Sequence, residues 1–276
     1  MYYMKKFSKE RELEIINLYK RGHTQKEIAE KYNTFNTSIR RVLLRNNVYL
    51  KGNDKQQRLC KHNPFKRHDE KSEYFLGLLI TDGNIDYSSK RKRIRLSLNE
   101  KDGYLIEEFL NWAAPEAKVT KTLQKLNNSY MWSASITNEE ALNFLERAGN
   151  FHNKSFEAKL YIPLTYHILR GIIDGDGGVY QQNTSAVKFS VCGKSIVLIK
   201  QIEAFLIKEK FSPIIYEGHN LYYIQVSKID EVLRLGQLLY NNAHIFCKRK
   251  YERWLAFYES RRANGVNSGE EMAIQS

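Results

Sequence analysis

FLGLLITDG (residues 75–83) and LRGIIDGDG (residues 169–177) decide the fold, because they repeat one pattern within a single chain. Gly77 aligns with Gly171 and Asp82 aligns with Asp176, in each case 94 positions further along. Each stretch is an apolar run that ends in an acidic residue followed by glycine. One such ending indicates a turn after a helix. Two copies at a domain-sized spacing indicate a duplicated unit.

The segments that follow the two stretches repeat as well. RLSLNEKDGYLIEEFL and KFSVCGKSIVLIKQIEAFL align at an offset of 93, which places Ser97 on Ser190. The alternation of arginine with Ile94 and Leu96 is typical of a strand with one polar and one apolar face. We therefore predict an α+β fold made of a pseudo-twofold pair of αββαββα units. An antiparallel sheet with a polar face suits contact with DNA, because one side of it can stay wet.

Composition points to a polyanionic partner. The chain has 276 residues and a formal net charge of +13, and most of the excess lies within residues 1–71. No apolar run approaches the roughly 20 residues that span a bilayer, so we predict no membrane contact. The first residues lack the apolar core of a secretory signal, and three cysteines make no disulfide framework. The expected location is the cytoplasm of a bacterial or phage-infected cell.

Residues 1–50 are predicted to form a small all-α helix-turn-helix domain. TQKE is a capping box, in which Thr24 and Glu27 satisfy each other's amides, and Asn36 or Thr37 can cap a third helix. In a helix-turn-helix that third helix enters the major groove of DNA. A small helical bundle with a basic surface is the alternative. The residues predicted to contact bases or phosphates are Thr37, Ser38, Arg40, Arg41 and Arg45. Residues 51–71 are predicted to be a basic linker.

The two stretches resemble the signature motifs of the LAGLIDADG homing endonucleases, in the single-chain form that carries both halves in one polypeptide. The resemblance covers residues 72–260, with one half at 72–160 and the other at 161–260. Residues 261–276 are predicted to be a disordered tail. The resemblance implies that the sheets form a saddle on DNA. Side chains expected to contact DNA from it are Arg91, Arg93, Arg95, Ser97, Lys188 and Ser190.

The resemblance also implies a site at the ends of the motif helices. Gly77 and Gly171 would let the helices approach closely, and Asp82 and Asp176 would bind Mg²⁺ or Mn²⁺. Ile80 stands where the second motif has Asp174, which is therefore expected to be structural or a helix-end group. Further residues implied by the resemblance are the backbone carbonyls of Thr81 and Gly175 as metal ligands, Glu100 and Gly193 near the attacking water, and Lys154 and Lys250, or Lys248, near the scissile phosphate. Gly193 has no side chain for that task.

These observations favour a site-specific endonuclease that makes a double-strand break in a long asymmetric DNA target by metal-dependent hydrolysis. Carboxylate-held metal ions neutralise the attacked phosphate and activate water. By resemblance the cut leaves 3′ overhangs, the protein acts as a monomer, and the role is intron homing. One alternative is a transcriptional regulator that binds DNA without cutting it. Another is an intron maturase.

Overall fold

The computed structural model describes residues 7–46, 48, 60–86, 92–124, 126, 128–151, 154–183 and 186–263. The chain divides into two compact units, Met1–Gln56 and Gln57–Ser276. The first carries the predicted helical segment and the second carries both repeats. Each unit has its own hydrophobic core.

The first unit contains the three predicted short helices, α1 (Lys9–Lys20), α2 (Gln25–Lys31) and α3 (Asn36–Arg45). The capping box is present, since Glu27 N donates to Thr24 Oγ1 at 3.2 Å and Thr24 N donates to Glu27 Oε2 at 2.8 Å. The predicted cap of the third helix is wrong. Phe35 occupies the N-cap position without a side-chain hydrogen bond, and Asn36 is already helical.

The second unit consists of two repeats joined by a short segment. The first repeat comprises α4 (Glu70–Asp82), β1 (Gly83–Asp86), β2 (Arg93–Asn99), α5 (Gly103–Ala113), β3 (Thr120–Gln124), β4 (Ser129–Ile136) and α6 (Glu139–Ala148). The connection comprises β5 (Gly149–Asn150), α7 (Lys154–Glu157) and β6 (Lys159–Leu160). The second repeat comprises α8 (Tyr166–Asp176), β7 (Gly177–Asn183), β8 (Ala186–Gly193), α9 (Ile196–Lys208), β9 (Ile214–Gly218), β10 (Leu221–Val226) and α10 (Ile229–Tyr240), and α11 (Lys248–Ala263) follows.

Both repeats build the same four-stranded sheet. The strand orders are β1-β2-β4-β3 and β7-β8-β10-β9, and every neighbouring pair is antiparallel. This confirms the predicted pair of αββαββα units. Strands β1 and β7 were not located individually from sequence, because each begins at the glycine directly after the acid and carries few residues with strand preference.

The apolar face of each sheet packs on the helices. Ile94 and Leu96 of β2 are fully buried, whereas Arg95 between them is exposed. In β8, Phe189 and Val191 are buried in the same way. The opposite face is called here the open face of each sheet. Its side chains belong to the alternate residues, as the period of two in the sequence predicts.

Two predicted boundaries are wrong. Within the proposed linker, Cys60 and Phe65 are buried in the core of the second unit, a 3₁₀ turn spans Pro64–Arg67, and α4 begins at Glu70. The apolar residues there are too widely spaced to show a period. At the other end, α11 extends to Ala263, into the proposed tail. Residues 51–59 and 264–276 of the two segments lie outside the described residues. Among the described helices, none combines the length and apolar character needed to cross a bilayer.

Candidate active site

The two motif helices, α4 and α8, cross at their glycines. A Cβ on Gly77 would lie 2.1 Å from the carbonyl oxygen of Ile168, and a Cβ on Gly171 would lie 2.1 Å from that of Tyr74. Real Cβ atoms do not approach backbone oxygens so closely, so any larger residue would force the helices apart. The structure therefore places both glycines at the contact that sets the helix spacing.

The acids Asp82 and Asp176 are the last residues of α4 and α8, and a strand begins at the next residue of each. The two helix ends touch. A Cβ on Gly175 would lie 1.9 Å from Thr81 Oγ1 and 3.0 Å from Asp82 Oδ2. Because the two helices pack closely, the acid at the end of one motif helix lies beside the end of the other motif helix. Gly175 must lack a side chain for this reason.

The paired acids make the site electronegative. Burial and the charge of Asp176 raise the pKa of Asp82 to about 6, against the opposing charges of Lys154 and Lys250. Partial desolvation of its carboxylate also raises the pKa of Asp176, whose residue as a whole is exposed. Both carboxylates lie at helix C-termini, where the helix dipole is itself negative. A cation held between them would therefore be stabilised.

Lys154, the first residue of α7, reaches the end of the first motif helix. Its Nζ donates a hydrogen bond to the carbonyl oxygen of Thr81, the residue before Asp82. Burial lowers the pKa of Lys154 to about 8, although the charges of Asp82 and Asp176 oppose the shift. The structure thus brings this predicted site residue to the acids.

Lys250 reaches the end of the second motif helix, but its ammonium group is bound to backbone carbonyls at that helix end. The residue is 2% exposed, and its Nζ donates to the carbonyl oxygens of Ile173 at 2.7 Å, Asp174 at 2.6 Å and Gly177 at 2.7 Å, with a longer contact of 3.4 Å to that of Gly175. An ammonium group has three protons, so the three short contacts occupy them. Lys250 therefore caps α8, whereas the resemblance implied contact with phosphate. Lys248, the alternative, is exposed and lies over the ring of Tyr104, 4.8 Å from its centroid.

Asp174 is buried, and its carboxylate is held by residues other than the paired acids. Its Oδ2 accepts hydrogen bonds from the Tyr74 hydroxyl at 2.9 Å and from Cys247 N at 2.6 Å. Burial raises the pKa of Asp174 to about 6, although the charge of Lys250 and these hydrogen bonds oppose the shift. Its role in the structure is to connect α4, α8 and the segment before α11.

The donor set suits a hard divalent cation. Within the described part of the chain, no group of three or more His, Cys, Asp or Glu side chains could hold a metal. Mg²⁺ characteristically uses one or two protein carboxylates and takes its other ligands from water and substrate phosphates. Asp82 and Asp176 provide two carboxylates, and the carbonyls of Thr81 and Gly175 lie at the same helix ends. Thr81 O retains a second lone pair beside its bond to Lys154.

The other predicted contacts of the second unit are dispersed over the sheets. Glu100 is exposed in a 3₁₀ turn at Glu100–Asp102, directly after β2, and the last residue of β8, Gly193, has open space around it.

On the first open face, Arg95 Nε donates to Ser135 Oγ at 3.4 Å, Ser97 Oγ lies 2.9 Å from Ser133 Oγ, and Arg93 is half-buried. On the second, Lys188 Nζ donates to Gln225 Oε1 at 2.9 Å, and Ser190 is only 7% exposed. Arg91 lies outside the described residues.

In the first unit, most of the predicted contact residues are on the outside of α3. Thr37, Arg40 and Arg41 are exposed, and Ser38 is half-buried. Arg45 differs because its guanidinium forms an ion pair with Glu12 of α1. Arg45 therefore helps to hold α3 against α1 rather than projecting toward a ligand.

Sequence reasoning missed one ion pair beside the site. Asp102 is 8% exposed and accepts hydrogen bonds from Arg249 Nε at 3.0 Å and from Arg249 Nη2 at 2.8 Å. The pair joins the first repeat to α11 of the second, and the charge of Asp102 contributes to the raised pKa of Asp82. The two residues are far apart in the sequence, so no local signal could have identified them.

No protein-family model and no curated protein matches this chain. Solved structures do match it. The homing endonuclease I-WcaI bound to its DNA recognition sequence is 18% identical, with a TM-score of 0.50 over 68% of this chain and 90% of that one. The I-LtrWI LAGLIDADG homing endonuclease bound to target DNA is 12% identical, with a TM-score of 0.50 over 70% and 91%. I-SmaMI bound to an uncleaved DNA target in the presence of calcium ions is 12% identical, with a TM-score of 0.48 over 75% and 95%. The chain has the fold of the LAGLIDADG homing endonucleases.

Proposed function

We propose that this protein is a site-specific endonuclease that cuts both strands of a long double-stranded DNA target. One observation carries the proposal: Asp82 and Asp176 end two helices that pack glycine against glycine, so each repeat contributes one carboxylate to a shared site, half-buried at Asp82 and exposed at Asp176. Two chemically equivalent acids, related by a pseudo-twofold axis, match a substrate whose two strands are related in the same way. The fold of the solved DNA-bound endonucleases supports this proposal.

The carboxylates of Asp82 and Asp176 would hold divalent metal, Mg²⁺ or Mn²⁺, together with the carbonyl oxygens of Thr81 and Gly175. A bound divalent ion supplies charge neutralisation at the phosphate and a more acidic water. The raised pKa of both acids supports this role, because desolvation at the helix ends makes the ionised pair costly without a cation.

The two lysines would have different tasks. Lys154 lies beside both acids with its pKa lowered to about 8, so it can offer a proton or a positive charge to a phosphate group near neutral pH. Lys250 keeps its ammonium on the carbonyls that end α8, so it positions Asp176 and does not reach for substrate. Glu100 is the candidate for orienting the attacking water in the first half. Its counterpart Gly193 can only contribute space for water.

DNA would lie along the open faces of the two sheets, where Arg93, Arg95 and Ser97 in the first repeat and Lys188 in the second provide hydrogen-bonding groups. The first unit would add contacts through Thr37, Ser38, Arg40 and Arg41 of α3, as a helix-turn-helix does. Because one chain carries both halves, a monomer suffices. By the resemblance of the motifs, the cut would leave 3′ overhangs.

The test begins with selection of bound duplexes from a randomised DNA library in EDTA, where cutting is prevented. The purified full-length protein is then incubated with the selected duplex, with and without Mg²⁺. We expect cleavage of both strands with Mg²⁺ and an intact duplex without it. Specific binding with no cleavage at any Mg²⁺ or Mn²⁺ concentration would overturn the proposal in favour of a non-cleaving regulator. Selective binding of RNA in a parallel library would instead favour a maturase.

A further inference from the structure

The open face of the second sheet contains a pocket walled by tyrosines. Its volume is about 220 Å³, and the side chains lining it are Tyr180, Lys188, Ser190, Cys192, Tyr216 and Tyr223. We call it the tyrosine pocket. Tyr180 is 46% exposed and Tyr216 is 41% exposed, so the aromatic surface faces solvent. A contiguous exposed apolar patch bordered by polar residues is typical of an interaction site.

The register of the strands builds this pocket. Tyr223 of β10 pairs with Cys192 of β8 on one side and with Tyr216 of β9 on the other. The rings of Tyr216 and Tyr223 stack in parallel, with centroids 4.9 Å apart and 3° between their planes. Tyr180 enters from β7, which also pairs with β8. The two stacked rings therefore form one continuous aromatic wall of the pocket.

Among the residues described in the first sheet, none forms such an aromatic surface at the equivalent place. The registers of the sheets show which rows correspond: Gly83 of β1 pairs with Leu96, and Gly177 of β7 pairs with Val191, so Ser97 is the counterpart of Cys192. Ser97 pairs with Ser133, and Ser133 pairs with Thr120. The row Ser97, Ser133 and Thr120 in one sheet thus corresponds to the row Cys192, Tyr223 and Tyr216 in the other. The neighbouring row of the first open face also carries guanidinium and hydroxyl groups, those of Arg95 and Ser135.

This contrast determines what each face can recognise on DNA. Guanidinium, amide and hydroxyl groups read the donors and acceptors on base edges, and arginine pairs most often with guanine. Tyrosine ring faces and a thiol give an apolar surface. In the major groove, the C5-methyl group of thymine is the apolar group that distinguishes one base from the other three. Uracil in RNA lacks it.

Positive charge borders the tyrosine pocket. Lys188 lines it directly, and its Nζ has donors left beyond the bond to Gln225. Arg253 is exposed on α11, which packs on β7, and its charge is felt at Tyr180: burial raises the pKa of that phenol, and Arg249 and Arg253 oppose the shift. Cationic side chains around an apolar surface are complementary to DNA, where phosphates lie on either side of the thymine methyl groups in the major groove.

We propose that the tyrosine pocket is a specificity-determining site for thymine methyl groups, so that the half-site on the second sheet carries A·T pairs over Tyr216 and Tyr223. The half-site on the first sheet is read by hydrogen bonds and favours guanine opposite Arg95. The inference rests on the proposed DNA binding, and it specifies the substrate of that site. The two half-sites of the target differ in base composition accordingly.

The test uses the duplex selected from the randomised library and the unaltered protein. Each thymine is replaced in turn by deoxyuridine, which removes only the methyl group, and binding is measured in EDTA. The two half-sites are assigned with Arg95→Ala, because base preference is lost in the half-site on the first sheet. In the other half-site we expect deoxyuridine at one or two positions to weaken binding about fourfold each, from the loss of one buried methyl group.

Variants connect this effect to the pocket. Tyr216→Thr and Tyr223→Ser install the residues of the first sheet, Thr120 and Ser133, and with them the deoxyuridine and thymine duplexes should bind equally well. Ser133→Ala on the first sheet is the matched control and should retain the full difference. Because the base replacement uses the native protein, the inference remains testable even if a tyrosine variant does not fold.

Two results separate the inference from the function on which it rests. Specific binding with no deoxyuridine effect in the second half-site, or with guanine and cytosine selected over the pocket, overturns the inference and leaves the endonuclease proposal intact. Failure to select any preferred duplex overturns both.

Discussion

The hydroxyl of Tyr74 in α4 donates a 2.9 Å hydrogen bond to Oδ2 of Asp174 in α8, which joins the two motif helices at a buried point. Asp174 also accepts from Cys247 N at 2.6 Å. The first motif has Ile80 at the matching position, so this connection exists only once in the pseudo-dimer. Asp174, which has no acidic counterpart in the first motif, therefore has a structural role.

Removal of the Tyr74 hydroxyl should destabilise the second unit. Tyr74→Phe leaves the buried Asp174 carboxylate with one donor fewer, which should lower the free energy of unfolding by about 1–3 kcal/mol. Chemical denaturation monitored by tryptophan fluorescence measures this change in the free energy of unfolding. Tyr161→Phe, at a side chain 57% exposed, is the control and should change little. Equal stability of the two variants would show that the bond to Asp174 contributes nothing.

Alanine at either crossing glycine should be severely destabilising. The added Cβ of Gly77→Ala or Gly171→Ala would lie 2.1 Å from a backbone oxygen of the other helix, which cannot move without separating the helices. We expect a loss of about 3 kcal/mol or more, at the upper end of what overpacking costs. Gly193→Ala, where nothing lies within 4 Å, should stay within about 0.5 kcal/mol of the native protein. Similar melting temperatures for the three variants would contradict the crossing geometry.

Loss of the Lys250 ammonium should unfold the protein more readily than loss of an exposed lysine nearby. Lys250→Met leaves three carbonyl oxygens and the buried Asp174 without their cation, so we expect a cost of about 3–5 kcal/mol. Lys248→Met, two residues earlier and exposed, should cost less than about 1 kcal/mol. Thermal unfolding distinguishes them. If Lys250→Met kept native stability but lost cleavage, Lys250 would be a substrate contact after all.

Stability without metal should fall as pH rises. Burial and Asp176 raise the pKa of Asp82 to about 6 in the folded protein, whereas an unfolded aspartate titrates near 3.8. The folded state therefore favours the protonated acid, and its stabilisation is complete below pH 4 and lost as pH rises through about 6. Lys154 and Lys250 moderate the effect and Asp102 adds to it.

Asp82→Asn isolates this contribution. At pH 8 in EDTA the variant should be more stable than the native protein, by an amount on the order of 2 kcal/mol. Mg²⁺ should raise the melting temperature of the native protein at pH 8 more than at pH 5, because the ligand binds the ionised acids, and it should not raise that of the variant. A flat pH profile in EDTA, or equal Mg²⁺ stabilisation of the variant, would contradict the electrostatics of the site.

Most of the architecture could be predicted because it rests on local patterns. The repeat of FLGLLITDG in LRGIIDGDG, and the alternation around Ile94 and Phe189, specify which faces are buried without any long-range information. The capping box at Thr24 is equally local. The segment around Phe65 could not be assigned, because its burial depends on a distant core and not on its own periodicity.

In the candidate site, too, locally encoded features could be predicted and features that depend on distant contacts could not. The acids at Asp82 and Asp176 are apparent from the repeat, but the cap that Lys250 places on α8 depends on where α11 packs. The ion pair of Asp102 with Arg249 likewise joins elements far apart in the chain. The tyrosine pocket depends on the pairing of Tyr216 with Tyr223 across two strands, whose alternation was visible but whose register was not.

The central claim is that Asp82 and Asp176 together form the centre that cuts DNA. It is tested most directly with Asp82→Asn, Asp176→Asn and the exposed control Glu252→Gln, each assayed for binding in EDTA and for cleavage in Mg²⁺ on the selected duplex. We expect all three variants to bind the duplex like the native protein, the control to cut it, and neither aspartate variant to make a double-strand break. Double-strand cleavage at the native rate by either aspartate variant would contradict it.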